Sequence, residues 1–144
     1  MIYIETSVLV AYTIARERER DRFNYTSSLI QKVNKGELEA LTSFYALIEL
    51  FTIAVENAED FKQGSSDAKD ILLEILPTKL IISKMLTRQE KLMNSHLFRE
   101  IVDPSDITHA VVAHLYRCEK IVTYDKHFLK ASHLIPVVKP EDLL

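Results

Sequence analysis

The chain has 144 residues, 47% hydrophobic and 27% charged, which fits one globular domain with a single sizeable core. Its formal net charge of −3 excludes nucleic-acid binding by bulk positive charge, so any such contact must come from local basic groups and bound cations. A single cysteine, Cys118, excludes an intrachain disulfide and a cysteine zinc cluster. The scarcity of glycine (Gly36 and Gly64 alone) disfavours a glycine-rich phosphate loop.

Met1 runs directly into Ile2-Tyr3-Ile4, without the basic and cleavable segments of a secretory leader, so the expected location is the cytoplasm. No stretch of about 18 uncharged apolar residues is present, so no membrane span is expected. Residues 2–4 read as a short buried strand, after which Thr6 or Ser7 can cap a helix through Val8, Leu9 and Tyr12. The run 16–22 alternates arginine with acids and reads as a solvated stretch. A helix is expected over about 23–35, ended by Gly36. A weak strand follows at 38–41 and a strong helix at 43–56.

Further on, a helix is expected at 66–76, stopped by Pro77, then a strand at 79–82 and a helix at 86–100. Asp103-Pro104-Ser105-Asp106 opens a helix running to about 117, with Asp103 as N-cap and Pro104 in the first turn. Strands are expected at 120–123 and 135–138. This alternation predicts a single α/β domain spanning 1–144, with a mostly parallel sheet of about four to five strands flanked by helices.

Four acids stand out on that framework. Glu5 and Asp125 each follow a strand, and in open parallel sheets ligands bind beyond the carboxyl ends of the strands. Glu49 is the only charged residue between Thr42 and Val55, and Asp106 lies in the first turn of its helix. Taken singly, most have a structural explanation. Asp125 suits a turn, Asp106 suits a helix N-terminus, and Glu49 shares a polar stripe with Tyr45, Thr52 and Glu56. Glu5 has the weakest such explanation, because Thr6 and Ser7 are better caps. Together they are a set that could hold Mg²⁺ or Mn²⁺, ions that prefer carboxylate oxygens and can support phosphodiester hydrolysis.

The ordered pieces Ile2-Tyr3-Ile4-Glu5-Thr6-Ser7, Ile48-Glu49-Leu50, Asp106-Ile107-Thr108-His109-Ala110 and Val122-Thr123-Tyr124-Asp125-Lys126-His127-Phe128 resemble the PIN-domain family, and within it the VapC-type toxins. The resemblance covers nearly the whole chain and implies a metal-dependent endoribonuclease. It also implies an RNA substrate, a cognate antitoxin and frequent homodimerisation. Carried over, it gives Glu5, Glu49, Asp106 and Asp125 as metal-binding and catalytic residues. Thr6, Ser7 and Thr123 become hydroxyls that orient water or carboxylates, and Glu49 could instead act as a base. The first acid is usually aspartate in the family, so Glu5 is a departure. Two expectations follow from it: Glu5→Asp raises Mg²⁺-dependent activity, and a catalytically weak or inactive interaction module of the same fold is the competing reading. A receiver-like phospho-acceptor domain fits less well, since the strand at 79–82 offers no aspartate.

Of the arginine run, Arg16 is nearest the first helix and is the candidate for contact with RNA or antitoxin. The five histidines form no zinc-like cluster and are expected to be ordinary, partly exposed residues. Tyr3, Tyr12, Phe23, Tyr25, Phe44, Phe51 and Phe128 are expected in the core or a dimer interface, and Cys118 is expected to be buried.

Overall fold

The computed structural model describes residues 1–144. Five parallel strands form one sheet: β1 (Ile2–Ile4), β2 (Ala40–Ser43), β3 (Ile81–Ser83), β4 (Ile121–Val122) and β5 (Val137–Val138), in the spatial order β3-β2-β1-β4-β5. Six α-helices connect them: α1 (Thr6–Tyr12), α2 (Arg20–Lys35), α3 (Phe44–Asn57), α4 (Phe61–Ile75), α5 (Arg88–Asn94) and α6 (Pro104–Leu115). Short 3₁₀ turns follow α5, β4 and β5. No helix is long and apolar enough to cross a membrane.

Side chains alternate across a strand, and β1 and β4 are apolar and buried at every position because both faces are covered, while β2 ends in Thr42-Ser43 and β3 in Ser83. Ile2, Ile4, Ala40 and Val122 point to a core with Val8 and Leu9 of α1, Leu29, Ile30 and Val33 of α2, and Leu47 and Leu50 of α3. Tyr3, Leu41 and Ile121 point the other way, onto Ala110–Ala113 of α6, Phe98, Ile101 and Phe128. Strand order then locates the site. The chain builds β1, β2 and β3 outward in one direction and returns to lay β4 on the free side of β1. The reversal leaves a crevice beyond the carboxyl ends of β1 and β4, where loops diverge. Glu5 leaves β1 there, its N–H bonded to the Val122 carbonyl at 3.1 Å, and Asp125 follows β4 three residues later.

Several boundaries differ from expectation for identifiable reasons. Helix α2 begins at Arg20, so part of the arginine run is helical, and Arg22 lies over the Tyr124 ring at 4.5 Å instead of being fully solvated. Helix α4 begins at Phe61, capped by Asp60, because it packs along α3 despite its Gly-Ser-Ser sequence. The strand expected at 38–41 is shifted to Ala40–Ser43 by pairing with β1 and β3. The helix expected at 86–100 breaks into α5 and the 3₁₀ turn Ser95–Phe98. Of the aromatics expected in the core or a dimer interface, Tyr25, Phe44 and Phe51 are exposed and lie outside the core, whereas Tyr3 and Phe128 are buried, as Cys118 is.

The α3–α4 contact depends on Gly64. A Cβ there would lie 2.7 Å from the Val55 Cα, a backbone atom that cannot swing aside. Overpacking costs about 1–3 kcal/mol, against roughly 1 kcal/mol gained in helix propensity on replacing glycine by alanine. Gly64→Ala is therefore expected to lower the melting temperature, and a variant as stable as the parent would show that the two helices separate without cost.

Candidate metal centre

Glu5 is itself the N-cap of α1, in place of the expected Thr6 or Ser7. It is 5% exposed, and a bare buried carboxylate would be costly. Three donors offset that cost, all on Oε2: the Ser7 N–H at 3.0 Å, the Ser7 hydroxyl at 2.5 Å and the Thr123 hydroxyl at 2.7 Å. Oε1 makes no hydrogen bond. Ser7 Oγ also receives the Tyr124 N–H at 2.9 Å, and Thr123 Oγ1 the Asp125 N–H at 2.9 Å. The two hydroxyls thus tie the end of β1 to the end of β4 and set the direction in which Asp125 leaves the sheet.

Asp103 caps α6 by accepting from Ser105 N–H at 2.8 Å, with Pro104 in the first turn. Asp106 lies in the same first turn. Its carboxyl is pushed up to about 6, first by burial and then by the charges of Asp125, Asp103 and Glu5. Asp125 caps the 3₁₀ turn Lys126–Ala131, taking the His127 N–H at 2.8 Å. That turn brings His127 back over the acids, with Nδ1 3.1 Å from Asp125 Oδ1 and 3.9 Å from Asp106 Oδ2. One ligand atom from each of Asp106, Asp125 and His127 lies within 4.8 Å of the others. A depression of about 560 Å³, lined by Val102, Asp103, Pro104, His127 and Lys130, borders them.

Glu49 is half-buried and well supplied with donors. Oε2 accepts from the Thr6 hydroxyl and from His109 Nε2 at 3.0 Å, and Oε1 accepts from the Ser105 hydroxyl. These bonds, the largest contribution coming from His109, outweigh burial and hold the carboxyl at about 2. Glu49 is therefore ionised over the whole neutral range and poorly matched to a base role, which favours a pKa near the working pH.

Asp106 and Asp125 are thus brought together with His127, whereas Glu5 and Glu49 lie outside that converging set. Glu5 is near enough for its charge to act on Asp106, and Glu49 is linked to Glu5's helix through Thr6 and to Asp106's helix through Ser105 and His109. Arg16 is elsewhere: it donates to the Thr13 carbonyl at 3.1 Å, pairs with Glu74 and stacks over Phe23. Two histidines depart from expectation. His109 is 1% exposed instead of partly exposed, and His127 joins the two aspartates. The first had a signal in its sequence, since it opens the apolar run His109-Ala110-Val111-Val112-Ala113. The second depends on a 3₁₀ turn that composition does not specify.

The donor set suits a divalent cation of the Mg²⁺ or Mn²⁺ type: carboxylate oxygens predominate, one imidazole is at hand, and mutually repelling charges are crowded at one point. A protein-family model described as PIN domain matches residues 2–134. No curated protein sequence matches the chain. Among solved structures, VapC20 from Mycobacterium tuberculosis, a sarcin–ricin-loop-cleaving toxin, is 18% identical with TM-score 0.65, over 91% of this chain and 95% of that one. FitAcB from Neisseria gonorrhoeae is 15% identical with TM-score 0.68, over 98% and 99%. VapBC2 from Rickettsia felis, bound to a DNA fragment from its promoter, is 17% identical with TM-score 0.64, over 96% and 98%.

Proposed function

The chain belongs to the PIN domain family, and from that premise we propose that it is a metal-dependent endoribonuclease acting as the toxin of a type II toxin–antitoxin pair. The observation that carries the proposal is the convergence of Asp106, Asp125 and His127 donor atoms at the crevice between β1 and β4, with the charge of Glu5 acting on Asp106 from the end of β1. Likeness of fold to a toxin that cleaves an RNA loop supports RNA as the substrate.

In this reading Asp106, Asp125 and Glu5 hold Mg²⁺ or Mn²⁺, with Glu49 behind them. A divalent cation in such a site supplies charge neutralisation at the phosphoryl oxygens and activation of a water for attack on phosphorus. Ser7 and Thr123 keep Glu5 Oε2 turned away and so leave Oε1 for the site. Thr6 and Ser105 hold Glu49 as an oriented anion. Lys130, at the rim of the bordering depression, offers positive charge to the RNA backbone that the chain as a whole lacks.

Partners are proposed on a second feature. Phe44, Ile48 and Phe51 are 45%, 44% and 38% exposed and recur at i, i+4 and i+7, which makes one apolar stripe on α3 next to Glu49. Contiguous exposed apolar surface of this kind marks protein contacts. It would receive the cognate antitoxin or a second copy in a homodimer, in the cytoplasm.

RNA cleavage with Mg²⁺, Mn²⁺ or EDTA tests the reading, together with thermal melting under the same conditions. Cleavage is expected with either ion and none with EDTA. Saturating Mn²⁺ at about 100 times its Kd should stabilise the fold by about 2.7 kcal/mol. Cleavage that persists in EDTA would sink the metal mechanism. A Mn²⁺-dependent rise in melting temperature with no cleavage of any RNA would favour the non-catalytic module, the reading that Glu5 in place of aspartate supports.

A further inference from the structure

Behind Glu49 runs a buried polar chain that the metal centre alone does not require. His109, Tyr3 and Ser43 are 1%, 0% and 0% exposed. They come from α6, β1 and the N-cap of α3, and they meet in the middle of an otherwise apolar core. Tyr3 Oη is 2.5 Å from His109 Nδ1 and 2.9 Å from Ser43 Oγ. Ser43 Oγ also accepts the Ala46 N–H at 3.1 Å, closing the first turn of the helix that carries Glu49.

The proton positions follow from the end of the chain. Glu49 is an anion and can only accept, so His109 Nε2 carries a hydrogen. In the neutral ring Nδ1 is then an acceptor. The phenol has one proton for two partners. Given to the nearer one, Nδ1, it leaves the phenol oxygen to accept from the Ser43 hydroxyl; given to Ser43 Oγ, it leaves the Ser43 hydroxyl to donate to Nδ1, 3.3 Å away, and in both arrangements Nδ1 accepts. Either way every donor has an acceptor, Ala46 N–H closes on Ser43, and the chain ends with His109 Nε2–H donating to Glu49. Burial pushes the Tyr3 phenol well above its ordinary value, which keeps its proton available to donate.

We propose that His109 is a positioning residue, one that fixes the orientation of the Glu49 carboxylate and is itself locked by Tyr3 and Ser43. Thr6 and Ser105 also donate to Glu49, but their hydroxyls rotate freely and need no partner behind them. His109 is a planar donor with one tautomer imposed from the core. It lies one turn beyond Asp106 on the same helix, so α6 contributes both a ligand candidate and the prop for another acid. Partners of this kind are worth about 10–100-fold in metal affinity or activity.

The inference rests on the ribonuclease reading for its consequence in turnover but not for its consequence in metal binding. Mn²⁺ affinity of the RNA-free protein is to be measured by calorimetry for wild type, His109→Leu, His109→Gln and Tyr3→Phe. The kcat and KM for RNA are to be measured alongside. His109→Leu is expected to weaken Mn²⁺ binding about 10-fold or more and to lower kcat with little change in KM. His109→Gln, which keeps an N–H at similar reach, is expected to recover most of both. If His109→Leu does not fold, the Gln and Tyr3→Phe variants carry the comparison. Imidazole ¹⁵N spectra of the wild type should show the Nε2–H tautomer for His109. A Nδ1–H tautomer would overturn the proposal, as would folded His109→Leu and Tyr3→Phe proteins with wild-type Mn²⁺ affinity. A wild type that binds Mn²⁺ but cleaves no RNA would overturn only the ribonuclease reading, and the affinities of the variants would still decide the role of His109.

Discussion

Asp106→Asn is expected to abolish RNA cleavage while raising the melting temperature of the metal-free protein at pH 7 by a few degrees. Both effects have one cause. The Asp106 carboxyl is raised from 3.8 to about 6 by burial and by Asp125, Asp103 and Glu5, so an ionised Asp106 is unfavourable in the folded state until a cation offsets it. Because the folded value exceeds the unfolded one, the stability this group contributes is fully present below about pH 3.8 and is lost as pH rises through about 6. A rise of that size corresponds to about 3 kcal/mol. Part of that is a burial cost that asparagine also bears, so the expected gain is roughly 1–2 kcal/mol, which is a few degrees for a chain of this size. Mn²⁺ should raise the melting temperature of the wild type, leave that of the variant nearly unmoved, and so close or reverse the gap. Cleavage should fall on the order of a hundredfold or more with the loss of a ligand. Melting at pH 3.5 and pH 7, with and without Mn²⁺, checks the sign. A variant less stable than wild type at pH 7 without metal would show that the acids are not in conflict. Glu49 works in the opposite sense. Its carboxyl is lowered from 4.5 to about 2, so its contribution is present above about 4.5 and is lost as pH falls through about 2.

The parts legible in the sequence are those set by local chemistry. Asp103 and Pro104 mark the start of α6 because an N-cap followed by a proline in the first turn is a local arrangement. Gly36 marks the end of α2 because its φ of 77° favours glycine. The apolar alternation of β1 reads directly as a strand covered on both faces. The parts not legible depend on distant partners. The early start of α4 is fixed by packing against α3. The burial of His109 depends on Tyr3, 106 residues away in sequence, and on Glu49, 60 residues away. Glu5 caps α1 ahead of the better cap formers Thr6 and Ser7 for the same reason. Cap preferences describe single exposed helix ends, whereas here the cap also accepts from Thr123, just past the end of β4.

That cross-strand bond reverses the expectation for Glu5→Asp. Read from sequence alone, shortening Glu5 to the family's usual aspartate restores a preferred ligand and raises Mg²⁺-dependent activity. In the structure the extra methylene carries Oε2 to the Ser7 and Thr123 hydroxyls together. Aspartate is a good cap and would keep the Ser7 N–H. It would draw back by about 1.5 Å, one C–C bond, and lose Thr123. The Thr123 hydroxyl would keep only Ser7 Oγ, 3.2 Å away, exchanging a charged acceptor for a neutral one at a cost of about 1 kcal/mol. Its hold on the Asp125 N–H, now 2.9 Å, would loosen. Glu5→Asp is therefore expected to lower both the melting temperature and the Mg²⁺-dependent rate, the rate by about tenfold. A double-mutant cycle with Thr123→Val separates anchoring from reach. If anchoring governs, the two substitutions are strongly non-additive, because the second removes a partner already lost. If the rate rises instead and the cycle is additive, the distance from carboxylate to cation limits the reaction, and the longer side chain is an impediment that the Ser7 and Thr123 hydroxyls merely accommodate.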